Sequence, residues 1–189
     1  MAESRTKRTF AHSLNVLLQK KSLNKITIQD IADESGLNRM TFYYHFKDIY
    51  DLIEWICHEE AKKAMDGNMD SHSWQKGLLK LFRIAEENRS FVMNVIRYMS
   101  REQMERSLLP TLHSLILQFI QEETDEEDIA EEHLNFLASF YQYAFVGTFL
   151  EWIRKDMQED PEKVVQNMNA VVQGTICPAI LHFKELDSK

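Results

Sequence analysis

The sequence predicts an all-α fold, and three observations carry that expectation. Apolar residues recur at i, i+3, i+4 and i+7 through most of the 189 residues, the period of a helix with one buried stripe. Glycine (5) and proline (3) are too scarce for a turn-rich β protein or a disordered chain. Ser, Thr, Asp or Asn also precedes several of the apolar periods, as expected of residues that satisfy the free N–H groups of a helix start. The length suits one medium domain or a small module joined to a larger one.

From Thr6 to Lys21, Phe10, Leu14, Leu17 and Leu18 fall on one helical face. After a Ser-Leu-Asn-Lys break, Thr27 stands three residues before Asp30, a capping-box start for a short second helix ending near Ser35. Gly36 suits the left-handed conformation that ends a helix. Asn38 is placed to cap a third helix through Met40, Thr41, Phe42, Tyr43 and Tyr44, and Asp48 a longer fourth one that ends around Asp66-Gly67-Asn68. Further helices are expected over Trp74 to Glu87, Ser90 to Tyr98 and Glu102 to Gln121, the last interrupted or kinked at Pro110.

The acidic stretch Glu122 to Glu132 contains Thr124 and Glu127 as a second capping box, so it reads as the start of a helix of about 30 residues reaching Met157. Two neighbouring apolar stripes, one with Leu137, Phe140, Tyr141, Ala144 and Thr148, the other with Leu134, Ala138, Phe145, Phe149 and Trp152, are too wide for one buried side. Asp160 and Pro161 open a final helix carrying Val164, Met168, Val171, Val172, Ile176, Ala179, Ile180 and Phe183. These last two helices are expected to pair with their copies, with Phe149, Trp152, Val172, Ile176 and Ile180 in the dimer interface, and Gly147 and Gly174 where helices approach closely.

The net charge of −8 resolves into two parts. Residues 1–50 carry eight Lys/Arg against five Asp/Glu, or +3, and the remainder is −11. A phosphate-facing head on an acidic body fits that division. Cys57 and Cys177 lie far apart, and the first residues lack the apolar stretch of a signal peptide, so a reduced, cytoplasmic protein is expected. Apolar runs such as Tyr143 to Leu150 stop well short of the roughly 20 residues of a membrane span.

Function is most legible in Ile26 to Phe46. A helix-turn-helix needs a small residue where its helices press together, a residue tolerant of positive φ at the turn, and apolar anchors beneath. Ala32, Gly36, and Ile28, Ile31, Leu37 and Phe42 meet these needs in order. Over roughly residues 6–56, with the aromatic string Thr41-Phe42-Tyr43-Tyr44-His45-Phe46, the chain resembles the TetR-like family of bacterial regulators. Its tail, through Gly147-Thr148-Phe149-Leu150-Glu151-Trp152-Ile153 and Asp160-Pro161-Glu162, is similar to a ligand-domain variant near regulators of dihydroxyacetone kinase genes.

The resemblance implies an N-terminal three-helix DNA-binding domain over residues 1–50, a connecting helix over 48–66, and a helical effector-binding and dimerisation domain over 67–189. It further implies a homodimer that binds a palindromic operator on double-stranded DNA, expected to repress, with release by a small-molecule effector. Candidate DNA contacts are Thr27, Asn38, Arg39, Met40, Thr41, Tyr43, Tyr44, His45 and Lys47. Arg39 is the base reader, since a guanidinium takes guanine O6 and N7 together, while Tyr43, His45 and Lys47 suit phosphates. The N–H groups at Thr27 are a further phosphate site, and Lys7 and Arg8 add contacts from an N-terminal arm. Many family members have a lysine where this chain has Ile49, which cannot hold a phosphate, and Lys47 or Tyr50 is the alternative source of that contact.

Met93, Met99, Met104, Phe140, Tyr141, Tyr143 and Phe145 are the candidate effector pocket, and equally an ordinary core. The seven histidines include no pair at i+3 or i+4, so neither a metal site nor any cofactor is expected. Cys57 and His58 are adjacent and point apart on a helix. Arg83, Arg89, Arg97, Arg101 and Arg106 either line an anionic pocket or mark solvated faces. No paired carboxylates, phosphate loop or triad supports an enzyme. The alternative left open is a co-regulator that works through protein partners, with weak or absent DNA binding of its own.

Overall fold

The computed structural model describes residues 2–67, 73–122 and 129–187. Among them the chain forms nine α-helices, one 3-10 turn and no strand. They are α1 (Ala2–Lys20), the 3-10 turn (Leu23–Lys25), α2 (Ile28–Ser35), α3 (Arg39–His45), α4 (Ile49–Met65), α5 (Trp74–Glu87), α6 (Arg89–Tyr98), α7 (Arg101–Glu122), α8 (Glu131–Arg154) and α9 (Pro161–Asp187). No helix among the described residues is long and apolar enough to cross a membrane.

Two compact units result: Met1–Glu59 with Glu87–Ser107, and Glu60–Glu86 with Leu108–Lys189. The first contains the head, but it also recruits α6, which packs on α1 and on the 3-10 turn. A single boundary near Asp66 therefore does not describe the compact units; Asn68 lies outside the described residues. Periodicity shows that α6 has an apolar face but not which helix covers it.

In the first unit, α1 buries Phe10, Leu14, Leu17 and Leu18. Phe10 meets Phe42 of α3 edge to face at 5.2 Å, and α4 contributes Leu52 and Ile53 to the same core. Each such side chain stabilises the unit by about 1.5 to 3 kcal/mol. In the second unit, Phe82 of α5 sits 5.0 Å from Phe149 and 4.7 Å from Trp152 of α8. Trp152 satisfies its buried N–H by donating to the Glu159 carbonyl at 2.7 Å.

Both proline-bearing helices run through their prolines: Pro110 lies inside α7 and Pro178 inside α9. Pro110, lacking an N–H, leaves one rung of the α7 hydrogen-bond ladder unmade without ending the helix. By contrast, α8 is shorter than expected, at 24 residues. It stops at Arg154 because Asp156 (φ 64°) and Met157 (φ 54°) turn left-handed, their N–H groups bonding back to Ile153 and Trp152. Its N-cap is Ala130, which has no side-chain acceptor. Asp187, at the end of α9, accepts from the Ala130 N–H at 2.8 Å and from His133 Nδ1 at 3.0 Å. A tertiary contact thus replaces a local cap, and the acid suits the positive end of the α8 dipole. The Thr124 and Glu127 capping box lies outside the described residues.

The expected dimer residues need correction. Phe149, Trp152, Val172, Ile176 and Ile180 are all buried inside their own unit. Phe149 and Trp152 pack on Phe82 of α5, while Val172 and Ile176 line one apolar cavity with Trp74 of α5 and Tyr141 and Phe145 of α8. The large apolar residues left outside on the same two helices are Phe136, Phe140 and Tyr143 of α8, and Val171, Leu181 and Leu186 of α9. Gly147 and Gly174 do not mark a close approach within the chain, since a Cβ at either would meet nothing within 4 Å.

Candidate nucleic-acid interface

Thr27 and Asp30 open α2 with a reciprocal capping box: the Asp30 N–H donates to Thr27 Oγ1 at 3.1 Å and the Thr27 N–H to Asp30 Oδ2 at 2.7 Å. The Lys21 ammonium, 2.8 Å from Asp30, joined by the Thr27 N–H and hydroxyl, holds the Asp30 carboxyl down at about 2. The Thr27 N–H, expected to take a phosphate, is engaged by Asp30 in this structure.

At the other end of α2, Gly36 adopts φ 67° and ψ 15°. Its N–H bonds to the Asp33 carbonyl at 3.3 Å and that of Leu37 to the Ala32 carbonyl at 3.2 Å, the two bonds of a Schellman motif. Asn38 Oδ1 then accepts from the Met40 N–H at 2.8 Å and starts α3. The turn is therefore closed by local chemistry on both sides, which sets where α3 points. Phe42 and Phe46 anchor α3 in the core, Phe46 packing on Trp55.

Four side chains stand out from α3: Arg39, Met40, Tyr43 and Tyr44. Arg39 donates to the Tyr43 hydroxyl at 2.9 Å and lies 5.4 Å over its ring. Tyr43 therefore holds Arg39, so its expected role as a phosphate contact is shared with an intramolecular one. Asn38 is exposed but its side chain caps; Thr41 is half-buried. His45 is half-buried between Tyr44 and Phe46, with its Nδ1 buried and without a partner among the described residues. Lys47 is exposed, while its N–H donates to Asp51. At the start of α4, Asp48 caps the Asp51 N–H, so this end carries two carboxylates beside the half-buried Ile49 and disfavours a phosphate.

Two other cations of the head are engaged elsewhere. Lys20 pairs with Glu34, and Lys7 with Glu3 while lying 5.8 Å over the Phe46 ring. Lys7 and Arg8 belong to α1, not to an extended arm.

The expected effector residues do not converge on one cavity. Met93, Met99 and Met104 belong to the first unit, the two last buried. In the second unit, Phe140 and Tyr143 face outward, 60% and 55% exposed. Only Tyr141 and Phe145 turn inward, lining with Trp74, Phe119 and Ile176 an apolar cavity of about 20 Å³, room for one water and not for a metabolite. The Tyr141 hydroxyl is satisfied by Thr175 at 2.8 Å. The arginine cluster is likewise dispersed into surface pairs, Arg83 with Glu162, Arg101 with Glu105 and Arg106 with Glu54.

Residues 15–56 match the family described as bacterial regulatory proteins, tetR family, and residues 72–174 match a transcriptional regulator C-terminal region of the same group. The chain belongs to the TetR family of transcriptional regulators. It is 29% identical over 90 residues to the HTH-type dhaKLM operon transcriptional activator DhaS of Lactococcus lactis subsp. lactis (strain IL1403), a match spanning 48% of each chain, about half the relative's length. Among solved structures, a dihydroxyacetone kinase operon activator DhaS superposes with a TM-score of 0.68 at 22% identity, covering 90% of this chain and 96% of that one. The TetR family repressor AlkX from Dietzia sp. strain DQ12-45-1b gives 0.58 at 15% identity over 94% and 96%. A TetR transcriptional regulator from Streptococcus agalactiae 2603V gives 0.59 at 20% identity over 90% and 95%. These structures share the fold; its TetR membership means a regulator's chemistry and not an enzyme's.

Proposed function

We propose that this TetR-family chain regulates transcription in the cytoplasm as a homodimer, each α3 entering the major groove of one half of a palindromic operator. The observation that carries the reading is the outward face of α3, with exposed Arg39, Met40, Tyr43 and Tyr44 set on the buried anchors Phe42 and Phe46. The dimer seam in this reading is drawn from apolar residues that α8 and α9 leave outside, among them Phe136, Phe140, Tyr143, Val171 and Leu181. Repression is the simplest outcome of operator occupancy. The curated relative is by name an activator, which favours activation as a second reading, and a promoter–reporter assay with the gene present and deleted separates the two.

Release by a small molecule seated between Trp74, Tyr141 and Phe145 would need their 20 Å³ cavity to enlarge. A thermal-shift screen with metabolites made or used near its own gene, yielding no stabilising compound, counts against such an effector. The deciding experiment is binding of the purified chain to the DNA beside its gene, in a salt series with unrelated DNA as competitor. Specific, salt-dependent binding of two protomers per symmetric site supports the proposal. No specific binding at any salt turns the reading to a co-regulator, for which the acidic, lysine-free start of α4 is the motive.

A further inference from the structure

Among the described residues, Tyr44 (82%) and Met40 (72%) are the most exposed large apolar side chains. They stand at i and i+4, on the side of α3 opposite the buried Phe42 and Phe46. Their neighbours Arg39 and Tyr43 occupy the flank and engage each other. Tyr44 is steadied edge-on against His45 at 4.9 Å, and Met40 lies in the first turn, beyond the Asn38 cap. The most outward point of the helix is therefore apolar, while exposed Arg39 and Lys47 and the +3 head around it suit a lattice of phosphates.

In the major groove, base edges present hydrogen-bond donors and acceptors with one exception, the C5-methyl of thymine. A flexible, polarizable thioether packs readily around such a group. We propose that Met40 and Tyr44 cover a thymine methyl, so that each operator half-site carries a required thymine beneath the centre of α3, with the Arg39 contact to one side. This rests on the reading that α3 enters the major groove.

The test replaces thymine by uracil, one position at a time, in the duplex beside the protein's own gene; pairing is kept and only the methyl is lost. With the full chain, uracil at one position per half-site is expected to weaken binding about fourfold, the value of one methylene-sized apolar group. Met40→Ala is expected to bind the thymine duplex more weakly and to ignore the uracil change, while unfolding at the wild-type temperature because Met40 makes no core contact. Uracil without effect at every position overturns the proposal, as does a Met40→Ala loss equal on both duplexes. Specific binding that ignores uracil leaves the regulator reading standing, whereas absence of specific binding to the unmodified duplex removes both.

Discussion

Arg39 and Lys47 are both exposed cations on or beside α3, and the proposed function gives them different work. Arg39 is held against Tyr43 and presents a planar fork; Lys47 is an exposed point charge. Arg39→Ala is therefore expected to relax base choice at one operator position by about 1 to 3 kcal/mol. Lys47→Ala should weaken all duplexes alike and flatten the salt dependence by about one phosphate contact. Competition titrations over a salt series check both. Asp30 makes a prediction of another kind. Its carboxyl, ordinarily near 3.8, sits at about 2 because of Lys21 and Thr27. The folded form thus favours the charged state, so its contribution is complete above the unfolded value and is lost as the pH falls through about 2. Comparison of acid unfolding for wild type and Asp30→Asn should show the wild-type advantage at neutral pH shrinking between those values.

The helix-turn-helix is an element whose geometry is set by backbone chemistry at its turn. Gly36 has φ 67° and open space around its Cβ position, so Gly36→Ala meets no clash and isolates the conformational cost. A loss of about 1 to 2 kcal/mol is expected in denaturant unfolding. Thr27→Ala removes the cap acceptor at the other end of α2 and should cost about 1 kcal/mol. At α8 the cap comes from a distant residue, Asp187. Asp187→Ala should therefore speed hydrogen exchange in the first turn of α8 as well as at the end of α9, which a purely local role at the α9 terminus would not produce.

For the whole molecule, the decisive split is between apolar residues that fill each unit and those left outside. Phe140→Glu is expected to leave the helical circular dichroism intact while converting the proposed dimer to a monomer in sedimentation, lowering the melting temperature only by the lost association, and weakening operator binding. Phe149→Glu, in the aromatic cluster with Phe82, should unfold the second unit instead. If both variants behave alike, the assignment of the outer face to the dimer is wrong.

The helices, the capping box at Thr27, the turn at Gly36 and the cap at Asn38 were all readable from the residues alone. Each is a contact between neighbours in sequence, so its chemistry is complete within a few positions. The all-α class and the regulator family followed from the same local patterns. What needed the tertiary structure was every choice between equivalent apolar faces. Periodicity marks α8 as doubly apolar, but only packing within the unit places Phe149, Trp152, Val172, Ile176 and Ile180 inside and leaves Phe140, Tyr143 and Val171 outside. The same holds for Tyr141 and Phe145, which line a cavity too small for the expected ligand, and for Asp187, which caps a helix 57 residues away. A side chain's type states that it prefers burial or a partner; which surface or partner it finds depends on contacts between segments distant along the chain.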